Sequence, residues 1–186
     1  MNTTARTLLD RPPLPLPRCG RCAFTSRPYS RRKAADLLLE YAARWQQVLA
    51  APGTARRHDG TLPWSPLEHG CHVRDMCILF HRRIDTFLGT APPAAPAPGG
   101  SEPPPRYRDE DARRASEELG RAAGALAGRL AVLTDDDWEH EDPRFPAPRP
   151  NLDLLTRHFL HDIIHSLSEV LNEARGTGRK AVGSHG

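Results

Sequence analysis

Long apolar runs are missing from this 186-residue chain. None approaches the roughly 18 residues a helix needs to span a bilayer, so no membrane-spanning segment is expected. Aromatic residues are scarce at 6%. The core must therefore come from Leu, Ala, Val and Ile, which favours helices and nearly excludes an all-β fold. Neither the alternating pattern of a strand nor an internal repeat is found. Lysine is almost absent, with only Lys33 and Lys180 among 26 basic residues. Such Arg- and Ala-rich usage is the codon signature of a GC-rich bacterial genome. An excess of one charge is missing too: the net charge is +3, spread along the chain. That lacks the clustered basic footprint of a nucleic-acid binder and argues against such a partner.

Cysteine is limited to Cys19, Cys22, Cys71 and Cys77. One CxxC and two thiols in a predicted helix read as reduced cysteines or metal ligands rather than a disulfide framework. The start, Met1 to Pro17, carries Arg6 and Arg11 but breaks into RPPLPLP where a signal peptide would need its apolar stretch, so a cytoplasmic location is expected.

Proline and glycine, by contrast, are abundant at 19 and 14, and they divide the chain. Residues 1–28 form a Pro-containing N-terminal arm with the CxxC, residues 29–176 a helical domain interrupted by a Pro-rich linker at 90–105, and residues 177–186 a flexible tail. Arm and linker lack apolar periodicity and are expected to pack little. The first helix covers 29–50, with Ala34, Leu37, Leu38, Tyr41, Trp45 and Val48 on its buried stripe. The second opens at WSPLEH with Ser65 as N-cap, Pro66 in the first turn and Glu68 completing a capping box. It runs to about Leu88, with Val73, Met76, Phe80, Ile84 and Phe87 on one apolar face. A third helix follows from Asp109 to Leu133. The stretch DDDWEHEDPRFPAPRP reads as a loop, and a fourth helix starts near Asn151 and closes at Gly176. Four helices without strands predict an all-α, antiparallel-type four-helix bundle.

The chemistry is concentrated in histidines. His161 and His165, four residues apart, lie about 40° apart on one helix face, a spacing that lets two imidazoles share a metal ion. His158 sits one turn earlier on the same side, where it suits either a third ligand or a partly exposed polar residue. In the second helix, His72 lies at the rim of the core, with His69 a competitor on the same face. Two histidines at this spacing also occur with no ligand role, so spacing alone leaves metal binding and plain packing both open. Glu68 and Asp75, one turn to either side of His72, are candidates to accept its free ring N–H. Arg82 and Arg83 form a pair that suits either an anionic substrate or a solvated face. Cys71 and Cys77 read as packing residues.

WSPLEHGCHVRD in the second helix together with RHFLHDIIHSLSEV in the last resembles the DinB/YfiT-like superfamily, specifically its actinobacterial members, over Tyr29 to about Ala174. The resemblance implies a four-helix bundle holding a divalent metal through His72, His161 and His165, with zinc ahead of nickel, iron or manganese. It places His158 and His69 outside the ligand positions and makes Asp162 the acidic neighbour of His161. It further implies a metal-dependent enzyme of thiol chemistry, an S-transferase or isomerase acting on a small electrophilic substrate with mycothiol as cosubstrate. The alternatives are a thiol-free hydrolase, cyclase or isomerase of a specialised biosynthetic pathway, and a non-catalytic metal-binding stress-response protein. The partner is a small molecule, with a homodimer left open. The resemblance extends to an N-terminal CxxC in some actinobacterial relatives, which makes Cys19 and Cys22 candidates for a zinc knuckle. A single CxxC supplies only two of the four ligands such a site needs, and the expected source of the others is His58 or a second chain. A reduced surface pair is the alternative. A thioredoxin-like role lacks the βαβ context it would need.

Overall fold

The computed structural model describes residues 19–22, 24, 30–55, 64–90, 107–141 and 149–182, with side chains to 175. It is all-α, with no strand among the described residues. The elements are α1 (Ala34–Ala50), α2 (Pro66–Phe87), α3 (Ala112–Ala131), a short α4 (Asp135–Glu139) and α5 (Leu152–Val182), with 3-10 turns at Arg31–Lys33 and Tyr107–Asp109. None of these helices is long and apolar enough to cross a membrane. The 90–105 linker lies, apart from Thr90, outside the described residues.

Helix starts follow local chemistry. Ser65 Oγ accepts from the Glu68 N–H at 3.2 Å while the Glu68 carboxylate accepts from the Ser65 N–H at 2.8 Å, so the expected capping box is formed, with Pro66 in the first turn. Asp111 caps α3 by accepting from Arg114 N–H at 2.8 Å. Asn151 caps α5, its Oδ1 accepting from Leu154 N–H at 3.0 Å. α4 departs from the expected loop. Thr134 and Asp137 form a second capping box, which holds one helical turn and buries Trp138. α5 also departs from expectation, continuing past Gly176 to Val182. A glycine inside a helix costs only about 1 kcal/mol relative to alanine, and no proline follows it to end the run.

One core is shared by all the long helices. Trp45 of α1, fully buried, donates from Nε1 to the Ile163 carbonyl of α5 at 3.4 Å. Phe80 of α2 stacks on Phe159 of α5 with centroids 4.5 Å apart. α3 packs on α1 and α2, joined by Gln46 Nε2 donating to Ser116 O and by Arg129 paired with Asp85 at 2.9 Å. Arg31 pairs with Glu139 and lies 3.7 Å from Asp153, tying the start of α1 to α4 and α5. Of the stripe expected on α1, Leu37, Tyr41 and Val48 are only partly buried, and Ala42 and Leu49 share the core with Ala34, Leu38 and Trp45. The arm also packs more than expected: Phe24 is buried, at 8% exposure. These contacts set the mid-section of α5 against α2 on one side, with Phe24 against it on another.

Candidate metal centre

Cys19 to Cys22 form a turn in which Cys19 N–H donates to the Phe24 carbonyl at 2.8 Å. This closure points the CxxC at α5. One ligand atom each from Cys19, Cys22, His161 and His165 lies within 4.8 Å of every other, and all four residues are half-buried. Cys19 Sγ is 3.5 Å from His165 Nδ1. The imidazole rings of His161 and His165 are 5.3 Å apart, as expected for residues one turn apart. Phe24 lies 5.3 Å from the His161 ring and shields that side.

A carboxylate orients His165. His165 presents Nδ1 to Cys19, and its Nε2 is 3.2 Å from Glu169 Oε1, one turn further along α5. Glu169 also pairs with Arg21 at 3.1 Å; Arg21 is 75% exposed, so that pair contributes little. His161 has Nδ1 3.6 Å from Asp162, while its Nε2 is buried without a hydrogen-bond partner. Such an orphan costs about 1–3 kcal/mol.

The electrostatics follow the geometry. The neighbouring His161 ring, helped by the Cys22 and Arg21 backbone, pulls the Cys19 thiol down to about 5. Burial pushes Cys22 up, and the adjacent Cys19 adds to that. Asp162 raises His161 above its usual value, with Cys19 adding to the effect. Two sulfurs and two imidazoles form the donor set of a four-coordinate zinc site, and the His161 orphan is the kind of atom an ion satisfies. A metal ion fits these residues.

The structure brings His161 and His165 together but does not add His72 to the group. His72 is buried on α2, its ring 5.1 Å from Trp64 and 6.5 Å from Tyr107. His69 is also buried, 5.4 Å from Trp64, with both ring nitrogens unpartnered. Desolvation lowers His69 to about 4 and also lowers His72, so both are neutral at pH 7. Carboxylates act on both rings: Glu169 of the centre on His69, and Asp75 of α2 and Asp162 of α5 on His72. The carboxylates expected to orient His72 have other partners. Glu68 closes the capping box, and Asp75 accepts from Tyr107 OH at 2.9 Å and from Arg74 Nε at 2.8 Å. His158 is half-buried one turn before His161. Arg83 is buried and Arg82 exposed. His58 lies outside the described residues. Cys71 and Cys77 are fully buried, as packing residues should be.

Sequence reasoning treated the CxxC and the paired histidines separately and did not single out Glu169. Two signals were available: the CxxC lacked two ligands while the histidine pair needed more donors, and Glu169 stands at i+4 from His165.

No protein-family model, curated protein or solved structure matches the chain. Fold and site together define an all-α protein with a Cys/His cluster able to hold a metal ion.

Proposed function

We propose that this chain is a metalloprotein of DinB/YfiT type, a four-helix bundle that binds one divalent ion through Cys19, Cys22, His161 and His165. The carrying observation is the convergence of four ligand atoms within 4.8 Å from two segments far apart in sequence. Two thiolates with two imidazoles favour zinc over nickel, iron or manganese, because the set is borderline-soft and suits a tetrahedral ion. Four protein ligands close the coordination sphere. The ion then acts as a staple between the N-terminal segment and α5, in line with a metal-binding stress-response protein in the reducing cytoplasm.

A second reading is favoured by one observation, that Asp162, the neighbour of His161 on α5, acts on the buried His72 ring of α2. In that reading His72, His161 and His165 would hold the ion, which would supply the acidity to activate a mycothiol-type thiol for transfer to a small electrophile. Here Cys19 and Cys22 stand outside the ligand set. Metal analysis of purified protein, followed by thiol-consumption assays with mycothiol and an electrophile panel, separates the two. The staple predicts one ion per chain and no thiol turnover. Turnover that survives in a Cys19→Ser, Cys22→Ser double variant and is lost in His72→Ala would establish the enzyme reading instead.

A further inference from the structure

Cys19 and Cys22 are a pair in a setting the buried thiols lack. They belong to one short turn closed by the Cys19 to Phe24 backbone bond, their sulfurs lie in a group no wider than 4.8 Å, and the turn faces solvent through exposed Gly20 and Arg21. A disulfide needs sulfurs about 2 Å apart, and in Cys19 and Cys22, held in one turn with sulfurs no more than 4.8 Å apart, rotation about χ1 moves the sulfurs along that path. Cys71 and Cys77, fully buried in the core, have no such access.

We propose that the CxxC is an oxidative modification site: a peroxide converts Cys19 and Cys22 into a reversible disulfide, withdrawing both sulfurs from His161 and His165. The Cys19 thiolate attacks one peroxide oxygen, and the O–O bond breaks to give a sulfenic acid and hydroxide, which takes up a proton to become water. The Cys22 sulfur then attacks the Cys19 sulfur, the S–O bond breaks, and the second oxygen leaves as water. Two thiols and one hydrogen peroxide thus become one disulfide and two waters. The coupling to metal rests on the reading proposed above. With both thiolates spent, two imidazoles remain, too few to hold zinc, so the ion leaves and the CxxC turn loses its metal link to α5. The staple is then a device that an oxidant opens and a thiol reductant with zinc resets.

The test uses the full chain, reduced, dialysed against zinc and counted for bound metal before any oxidant is added. Equimolar hydrogen peroxide follows, with a chromogenic chelator reporting released zinc and peptide mass mapping after alkylation reporting each cysteine. The expected result is a Cys19–Cys22 disulfide, loss of about one zinc per chain at the same rate, Cys71 and Cys77 recovered as thiols, and restoration by reductant plus zinc. Cysteines that stay free, or that pass to sulfinic acid without pairing, would overturn the proposal, as would a disulfide that forms while zinc stays bound. The zinc count before peroxide tests the metal reading separately, and the disulfide is scored by mass whatever that count is.

Discussion

Glu169 offers a perturbation whose size follows from the geometry. His165 turns Nδ1 toward Cys19 and Nε2 toward Glu169, so in the metal-bound form Nε2 carries the proton and donates it to the carboxylate. That bond fixes the ring orientation and makes Nδ1 a better donor to the ion. Losing a carboxylate of this kind costs about 10- to 100-fold in metal affinity, or about 1.4 to 2.7 kcal/mol. Glu169→Gln keeps the size and an accepting oxygen but removes the charge, so zinc affinity should fall about 10-fold. Glu169→Ala removes both, and the loss should approach 100-fold. Arg21→Ala breaks only an exposed ion pair with the same carboxylate and should change affinity by less than about 5-fold, since such pairs contribute about 1 kcal/mol or less. Competitive titration of each variant against a calibrated chelator measures the affinities. Helicity of the metal-free variants checks that the fold survives. Unchanged affinity in Glu169→Ala, with the fold intact, would refute the assignment of His165 as a ligand through Nδ1.

Two further predictions concern the frame around the centre. Arg74 is buried and ion-pairs with Asp75, Glu110 and Glu118 at 2.8, 2.6 and 2.9 Å. Arg74→Met leaves those carboxylates facing one another and should destabilise the protein by about 2 to 4 kcal/mol, seen as a fall of about 5 to 15 °C in Tm. A fall of less than about 2 °C would show that the network is only surface decoration. His69 provides a pH signature. Burial holds it at about 4 against an ordinary 6.5, so the unfolded chain takes up a proton that the fold refuses. Its stabilising contribution is complete above pH 6.5 and is lost as the pH falls toward 4, about 3 kcal/mol in all. Urea unfolding of metal-free protein should show this slope, reduced in His69→Gln; equal slopes in the two proteins would contradict the burial argument.

Much of the fold was legible because its signals are local. Ser65, Pro66 and Glu68 mark the start of α2 by chemistry that operates within four residues, and the apolar positions of α1 and α2 repeat at the helical period. α4 reads as a loop in the sequence because its capping box, Thr134 with Asp137, sits in an acidic, Pro-flanked stretch with only Trp138 to bury. Gly176 does not end α5, because a glycine stops a helix only when its backbone leaves the right-handed region. At the site, the His161 and His165 pair could be read from spacing within one helix. The approach of Cys19 and Cys22 could not: it depends on tertiary packing of Phe24 against His161 across more than a hundred residues of chain, which no local pattern encodes. His72 is expected at the rim of the core, but the structure buries it beside Trp64 and Tyr107.

The absorption spectrum of the cobalt(II)-loaded protein bears most directly on which residues hold the ion. A Cys19, Cys22, His161 and His165 set predicts sulfur-to-cobalt charge-transfer absorption in the near ultraviolet together with intense visible bands of a tetrahedral ion. The charge-transfer absorption should drop by about half in Cys19→Ser and in Cys22→Ser, vanish in the double variant, and be unaffected in His72→Ala. A cobalt spectrum without sulfur charge transfer, indifferent to both cysteines and abolished by His72→Ala, would contradict the account and move the ion to His72, His161 and His165.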